Sequence, residues 1–340
     1  MAWREFIIKI TLLFFGIFTS LAIAEIGLRL IPESKMAFDR PVLFYLPEHS
    51  SNLRGLPKNL PPKAEGTIRI FVVGDSFTFS PHLQLYDTLP SRLEWLFNLN
   101  SQQPKVEIIN YGFSGSNTAR QTGLVKDAIT NGADLIVHQI NLNDTEKAPL
   151  DRKIFLKNFS VPDHSEHWYG SFKLITLISN QIYKWLIAKR TLNYYRALYQ
   201  ENSETYQNFK NALAEIRDIC GKHSTPLLAV IFPLISNKLD ENYPFLEYHK
   251  KIQAELEFLK VNYIDLLETF KNIPSDRLTV LPGKDAHPNE IANGLAADAI
   301  YRKLHNLAFL PKEIFAKTVY SERVGERAPR IKNLENAYKK

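Results

Sequence analysis

Four polar residues that lie far apart in the chain could do chemistry together: Ser76, Gly112, Asn143 and His287. Acyl transfer needs a nucleophile, a base within hydrogen-bond reach of it, and donors for the oxyanion that develops. Ser76 offers a hydroxyl, His287 an imidazole, and Gly112 and Asn143 offer N–H donors. Ser76 ends the run Ile68-Arg69-Ile70-Phe71-Val72-Val73-Gly74-Asp75. Its apolar, β-branched character fits a strand covered on both faces. Gly74 then permits a tight turn. Gly-Asp-Ser alone is also ordinary turn chemistry, so the weight rests on the four residues together.

What must position them is an alternating frame of strands and helices. A helix begins at Asp87-Thr88-Leu89-Pro90, with Leu89, Leu93, Leu96 and Phe97 at helical spacing. Val106-Glu107-Ile108-Ile109-Asn110 reads as a second strand, closed by the loop Tyr111-Gly112-Phe113-Ser114-Gly115. A helix over 118–130 leads to a third strand, Leu135 to Ile140, which runs into Asn141-Leu142-Asn143-Asp144. The rhythm returns with a helix over Glu204–Cys220 and a fourth strand, Leu227 to Phe232. A helix over Pro244–Lys260 and a short fifth strand, Asn262 to Asp265, follow. A loop from Leu281 to Asn289 then precedes a closing helix over 289–306. Such alternation predicts parallel βαβ crossovers and a doubly wound α/β sheet. In that architecture Ser76, Gly112, Asn143 and His287 all open onto the carboxyl edge, where ligands bind.

The same residues carry a family resemblance. Gly74-Asp75-Ser76-Phe77-Thr78, Asn110-Tyr111-Gly112-Phe113-Ser114-Gly115, Asn143-Asp144 and Asp285-Ala286-His287-Pro288-Asn289 resemble the four blocks of the SGNH (GDSL-type) hydrolase superfamily. The resemblance covers roughly Ile68 to Asn306, and the wording and membrane lead resemble a membrane-anchored bacterial envelope subgroup. It implies a flavodoxin-like sheet and a serine esterase that needs no metal or organic cofactor. Ser76 would be the nucleophile and His287 the base. The Ser76 N–H, the Gly112 N–H and the Asn143 amide would form the oxyanion hole. Two positions depart from the family pattern. Asn141 stands where the third block has a Gly. Lys284 stands where the last block has its Asp, leaving Asp285, two residues before His287, as the candidate third triad member. The expected substrate is a small-molecule ester, an envelope lipid or an O-acylated glycan. Two alternatives stay open: an O-acyltransferase acting on a cell-envelope polysaccharide, and a non-catalytic glycan- or partner-binding protein.

The ends of the chain define its surroundings. From Phe6 to Ala24 the residues are apolar apart from Lys9, Gly16, Thr11, Thr19 and Ser20. As a helix this stretch reaches about 28 Å, close to the thickness of a hydrocarbon core. Arg4 and Lys9 at its start keep the amino end cytoplasmic, so the rest is expected on the extracytoplasmic (periplasmic) side. Ala22-Ile23-Ala24 would serve as a cleavage site. The apolar pattern nevertheless resumes at Ile26, Leu28, Leu30 and Ile31, which favours a retained anchor over 1–31. Residues 32–66 hold six prolines and read as an extended lead. The aromatic run Phe38 to Tyr45 within it is a candidate to pack on the domain. The hydrolase-like domain is expected over 67–310, with an aromatic-rich helical insertion over 147–202 and a charged tail over 311–340. Either a substrate lid or plain helical packing fits the insertion.

Composition excludes several other classes. Hydrophobic residues are 45% and charged residues 23% of the chain, the profile of a globular protein with a core. Of the formal charge of +6, the eight Lys/Arg and four Glu of the tail from Lys312 contribute +4. No basic stripe with interleaved aromatics points to nucleic acid, and no Gly-rich phosphate loop points to nucleotides. Cys220 is the only cysteine, which fits a buried apolar role and no intramolecular disulfide. Asp163, His164, Glu166 and His167 lack a recognised metal-ligand spacing and read as a solvated loop. Asp75 reads as the turn's hydrogen-bond acceptor beneath the nucleophile. Nothing in the sequence indicates an oligomeric state.

Overall fold

The computed structural model describes residues 2–31, 60–98, 105–147, 161, 163–164, 167–281 and 285–315. Most of the Pro-rich lead with its aromatic run, the start of the insertion, residues 282–284 and nearly all of the charged tail lie outside them. In chain order the described elements are α1 (Ala2–Leu30), β1 (Ile68–Gly74), α2 (Ser76–Phe79), α3 (Leu89–Phe97), β2 (Val106–Gly112), α4 (Thr118–Thr130), β3 (Leu135–Ile140) and α5 (Lys173–Leu198). They continue as α6 (Glu204–Lys222), β4 (Leu227–Ile231), α7 (Leu246–Phe258), β5 (Asn262–Asp265), α8 (Leu267–Phe270), β6 (Thr279–Leu281), β7 (Asp285–Pro288) and α9 (Glu290–Leu307). The chain forms two compact units: Met1–Pro41 with Leu150–Tyr194, and Val42–Pro149 with Tyr195–Lys340.

The second unit is built on a five-stranded sheet of order β2-β1-β3-β4-β5, parallel throughout. This is the expected doubly wound, flavodoxin-like arrangement. Ile70 to Val73 and all of β3 are buried, as continuous apolar runs in a two-sided sheet should be. Phe71, Val73, Ile109 and Tyr111 pack with Leu124 and Val125 of α4 and Ile216 and Cys220 of α6. Alternation along the strands sends Ile70, Val72 and Ile108 to the opposite face. On the domain's other helical layer α3 and α9 pack against each other, with α3 also on β2.

Local chemistry sets the helix starts. Asn117 accepts from the Arg120 N–H at 3.0 Å, and Ser203 accepts from the Tyr206 N–H at 3.2 Å. Arg69, the one charge in β1, is buried but paired: Nε donates to Glu107 at 2.7 Å, and Nη1 and Nη2 donate to the carbonyls of Asn131 and Pro61. One expectation is corrected here. Part of the expected loop 281–289 is strand, because β7 pairs antiparallel with β6, Leu281 against Asp285 and Thr279 against Pro288. Asp-Ala-His-Pro carries no apolar alternation, so its pairing comes from tertiary placement and not from local propensity.

In the first unit α1 is exposed along nearly its whole length. Trp3–Leu30 is long and apolar enough to cross a membrane, with a mean hydropathy of 2.2. The helix continues past Ala24 without a break.

Candidate active site

The sheet order reverses beside β1, which has β2 on one side and β3 on the other. Ser76 follows β1 as the first residue of α2, and Asn143 follows β3. The turn that presents Ser76 is held from below. Asp75 is fully buried and its Oδ1 accepts the Phe77 N–H at 2.9 Å, which caps α2. Gln139 of β3 accepts the Asp75 N–H and the Thr78 hydroxyl, both at 3.0 Å. Gly74 is required for this: a Cβ there would fall on the Gln139 side chain and the Thr78 hydroxyl. Among the described residues the Ser76 N–H has no partner, as befits the first turn of a helix.

Gly112 departs from its expected role. Its N–H donates to Asn110 Oδ1 at 2.9 Å, while Asn110 Nδ2 donates to the Thr78 carbonyl at 3.1 Å. That N–H is engaged within the loop. A Cβ at Gly112 would stand 2.7 Å from Phe79 Cα and Thr78 C. The glycine is therefore needed for the close seat of α2 on the end of β2. Three residues on, Gly115 is exposed with a φ of 74°. It sits in the turn whose Ser116 hydroxyl donates to the Gly74 carbonyl at 3.1 Å.

After β3 the chain makes a short 3-10 turn from Leu142 to Thr145. Asn141 caps it at φ −122° and ψ 164°, extended backbone that needs no glycine. Asp144 is buried; its Oδ2 accepts the Asn141 N–H at 2.5 Å and its Oδ1 accepts from Gln121 Nε2 at 2.8 Å. Gln121 Oε1 pairs in turn with His138 Nε2 at 2.6 Å. Burial raises the Asp144 carboxyl well above the ordinary carboxylate value, with the neighbouring Asp75 adding to it. Burial likewise raises Asp75, against lowering by the Phe77 N–H, by the His287 charge and by the Asn143 and Gln139 side chains. Asp75 Oδ2, Gln139 Nε2 and Asn143 Oδ1 are buried without a hydrogen-bond partner among the described residues. Orphaned buried polar atoms in a native fold call for an explanation such as a catalytic role.

His287 arrives from β7. Its Nδ1 pairs with Asp285 Oδ1 at 2.6 Å, and the same oxygen accepts the His287 N–H at 2.9 Å. A carboxylate two positions before the imidazole thus reaches it without strain in an extended segment. The other oxygen, Asp285 Oδ2, lies 3.0 Å from His82 Nε2, and the two imidazoles stand with ring centres 5.6 Å apart. Burial raises the Asp285 carboxyl, but the hydrogen bonds and charge of His287, with His82 adding, outweigh it and hold the group below its ordinary value. The His287 ring also packs on Phe77, the neighbour of Ser76, at 5.6 Å. Asn289 pins this segment. Its Oδ1 accepts the Ile291 and Ala292 N–H groups, and its Nδ2 donates to the carbonyls of Arg277 and Thr279.

The fold therefore brings Ser76, Asn143, Asp285 and His287 to one edge and engages the Gly112 N–H within its loop. Sequence reasoning missed three contributors: Asn110, Gln139 and His82. A polar residue on an otherwise apolar strand was the available signal for Gln139. His82, in the turn after α2, gave none, because its partner is distant in sequence. His82, Asp285 and His287 also form a group whose ligand atoms lie within 4.8 Å of one another. Both Asp285 oxygens are already engaged by the two imidazoles. Elsewhere, His164 is buried and packs on Tyr169 and Tyr183, which corrects the solvated reading for that residue. Burial pushes the Cys220 thiol up to about 12, in keeping with the apolar role expected of it.

The buried chain behind the site predicts a pH effect on stability. Burial lowers His138 from 6.5 to about 4. The unfolded chain then binds the extra proton between those values, so stability is complete above 6.5 and is lost as pH falls toward 4. The full effect is about 3 kcal/mol. The raised carboxyls of Asp75 and Asp144 act with the opposite sign, so the comparison must be with a variant. His138→Gln should be less stable at pH 7, and its urea midpoint should fall less than the wild-type midpoint between pH 7 and pH 4.5. Parallel curves would refute the buried neutral imidazole.

No family model matches the sequence, and no curated protein matches it. Solved structures do. The chain is similar to TesA at 12% identity and a TM-score of 0.41, over 70% of this chain and 99% of that one. It is similar to AlinE4, an SGNH-hydrolase family esterase, at 16% identity and a TM-score of 0.37, over 72% and 97%. It is also similar to a catalytic mutant of Axe2, an acetylxylan esterase from Geobacillus stearothermophilus, at 12% identity and a TM-score of 0.43, over 72% and 96%. At these identities and TM-scores the likeness assigns no activity, and the chemistry must be read from the residues themselves.

Proposed function

We propose that this chain is a serine esterase of the SGNH type. The observation that carries the reading is the 2.6 Å pairing of Asp285 Oδ1 with His287 Nδ1 on an imidazole packed against the residue after Ser76. A carboxylate on Nδ1 fixes the tautomer and leaves Nε2 as the basic nitrogen. His287 then takes the Ser76 hydroxyl proton as Oγ bonds to the ester carbonyl carbon. The tetrahedral oxyanion collapses, the alcohol leaves with the proton from His287, and water repeats the sequence on the acyl-Ser76 ester. The Ser76 N–H and the Asn143 amide supply oxyanion donors. Gly115, exposed in the turn bonded to Gly74, is better placed than Gly112 to supply a third. No metal or organic cofactor enters this chemistry.

We further read α1 as a retained anchor, with Arg4 and Lys9 on the cytoplasmic side and the sheet domain in the periplasm. Esters on envelope lipids or O-acylated glycans are then the substrates within reach.

A fluorophosphonate probe tests the chemistry directly. Mass spectrometry should find the adduct on Ser76, and Ser76→Ala should lose hydrolysis of p-nitrophenyl acetate by roughly a thousandfold or more. Wild-type turnover in Ser76→Ala would end the assignment.

A further inference from the structure

Helix α5 carries a stripe of exposed apolar side chains. Ile175, Ile178, Ile182 and Trp185 are 41%, 48%, 53% and 61% exposed. At 3.6 residues per turn their spacing of three, four and three puts them within an arc of about 80°. Lys189 continues the same line, with Nζ 5.3 Å from the centre of the Trp185 ring. On the neighbouring exposed arc the polar Gln181 and Lys184 flank Leu177, which is itself 46% exposed. From His167 to Gln200 the sequence has five Lys/Arg and no Asp or Glu.

Two bonded contacts say what lies beside this stripe. Glu25 of α1 caps the start of α5: Oε1 accepts the Lys173 N–H at 3.0 Å and Oε2 accepts the Leu174 N–H at 2.8 Å. Arg29 donates to the same Glu25 at 2.8 Å and to the Ser171 carbonyl at 2.9 Å. Glu25 is the residue at which the apolar run from Phe6 to Ala24 ends. If α1 spans the bilayer, this carboxylate marks the depth where hydrocarbon gives way to head groups, and α5 starts at that depth.

We propose that α5 docks on the membrane surface, with Ile175, Ile178, Ile182 and Trp185 immersed in the outer edge of the bilayer that α1 spans. An interfacial helix combines an apolar face with a cationic remainder. Lys184, Lys189 and Arg190 suit anionic head groups, and Lys189 can reach them from the end of the stripe by snorkelling. The inference rests on α1 being a membrane anchor.

The test uses the full-length protein in vesicles of phosphatidylcholine with phosphatidylglycerol. Nitroxide labels are placed on Ile182→Cys, on Lys184→Cys and on Leu21→Cys within α1. Power-saturation EPR then compares collision with oxygen, which enters lipid, and with a water-soluble nickel chelate. The expected result is that sites 21 and 182 favour oxygen while site 184 favours nickel. Site 182 as open to nickel as site 184, with site 21 protected, overturns surface docking and leaves the anchor standing. Protection of site 182 from both reagents means that protein covers the stripe, which also overturns it. Nickel access at site 21 removes the anchor, and the proposal falls with it.

Discussion

Asp285→Asn is expected to lower kcat for an ester substrate by about 10⁴-fold while leaving the fold in place. The amide keeps the shape of the carboxylate but carries no negative charge to stabilise the imidazolium that forms when His287 takes the proton. Asp285 Oδ1 makes both bonds to His287, to the ring at 2.6 Å and to the backbone at 2.9 Å. His82 touches only the other oxygen, at 3.0 Å. Losing His82 should therefore cost far less than losing Asp285: His82→Ala leaves the tautomer of His287 intact and removes one support of the carboxylate. Steady-state kinetics with p-nitrophenyl acetate on both variants separate the two roles. Equal losses would mean that the two imidazoles act as one unit on the carboxylate. Near-normal turnover in Asp285→Asn would remove it from the triad.

Gly112→Ala should be the most damaging single methyl addition in the domain. A Cβ at this position meets Phe79 Cα and Thr78 C at 2.7 Å, and both are backbone atoms. Backbone cannot rotate away as a side chain can, so α2 must lift from β2. Forced packing of this kind costs about 1–3 kcal/mol when the neighbours can adjust, and we expect the upper end of that range or more here. The displaced helix carries Ser76 at its first position, so hydrolysis should fall together with the urea midpoint. Gly115→Ala makes the informative contrast. It is exposed, and with a φ of 74° its cost is backbone strain. A Gly112→Ala protein with wild-type stability and activity would show that α2 is not seated as described.

Much of this architecture is legible in the residues. The apolar run of β1 and the one from Leu135 to Ile140 announce buried parallel strands, and the alternation with helices gives the doubly wound order. Ser76 and Asn143 are legible because each follows the end of a strand, and His287 because it lies just ahead of the closing helix. Gly112 was harder. Whether a backbone N–H is free depends on where a neighbouring side chain points, and Asn110 could not be aimed from the sequence. The glycine's actual demand comes from α2, a contact between segments roughly thirty residues apart. The pairing of β6 with β7 was hidden because Asp285-Ala286-His287-Pro288 has no strand pattern of its own. His82 was hidden for the same reason at longer range. Asn141 shows the reverse case: a missing glycine looked like a defect, yet the backbone there is ordinary extended chain.

The two ends of the catalytic pairing, Ser76 and His287, lie about two hundred residues apart in the sequence. Contacts of such separation form late, since the loop they close must first give up its entropy. With the amino end held on the cytoplasmic side, as proposed above, the segments behind α1 would emerge in chain order, and the Gly74-Asp75-Ser76 turn would be presented long before β7 and α9 bring the imidazole to it. Until then the serine is an ordinary alcohol. On the proposed mechanism, hydrolytic competence would appear only once the last strand pair and the closing helix have docked. On that mechanism, a chain that lacks β7 and α9 would be chemically silent toward esters.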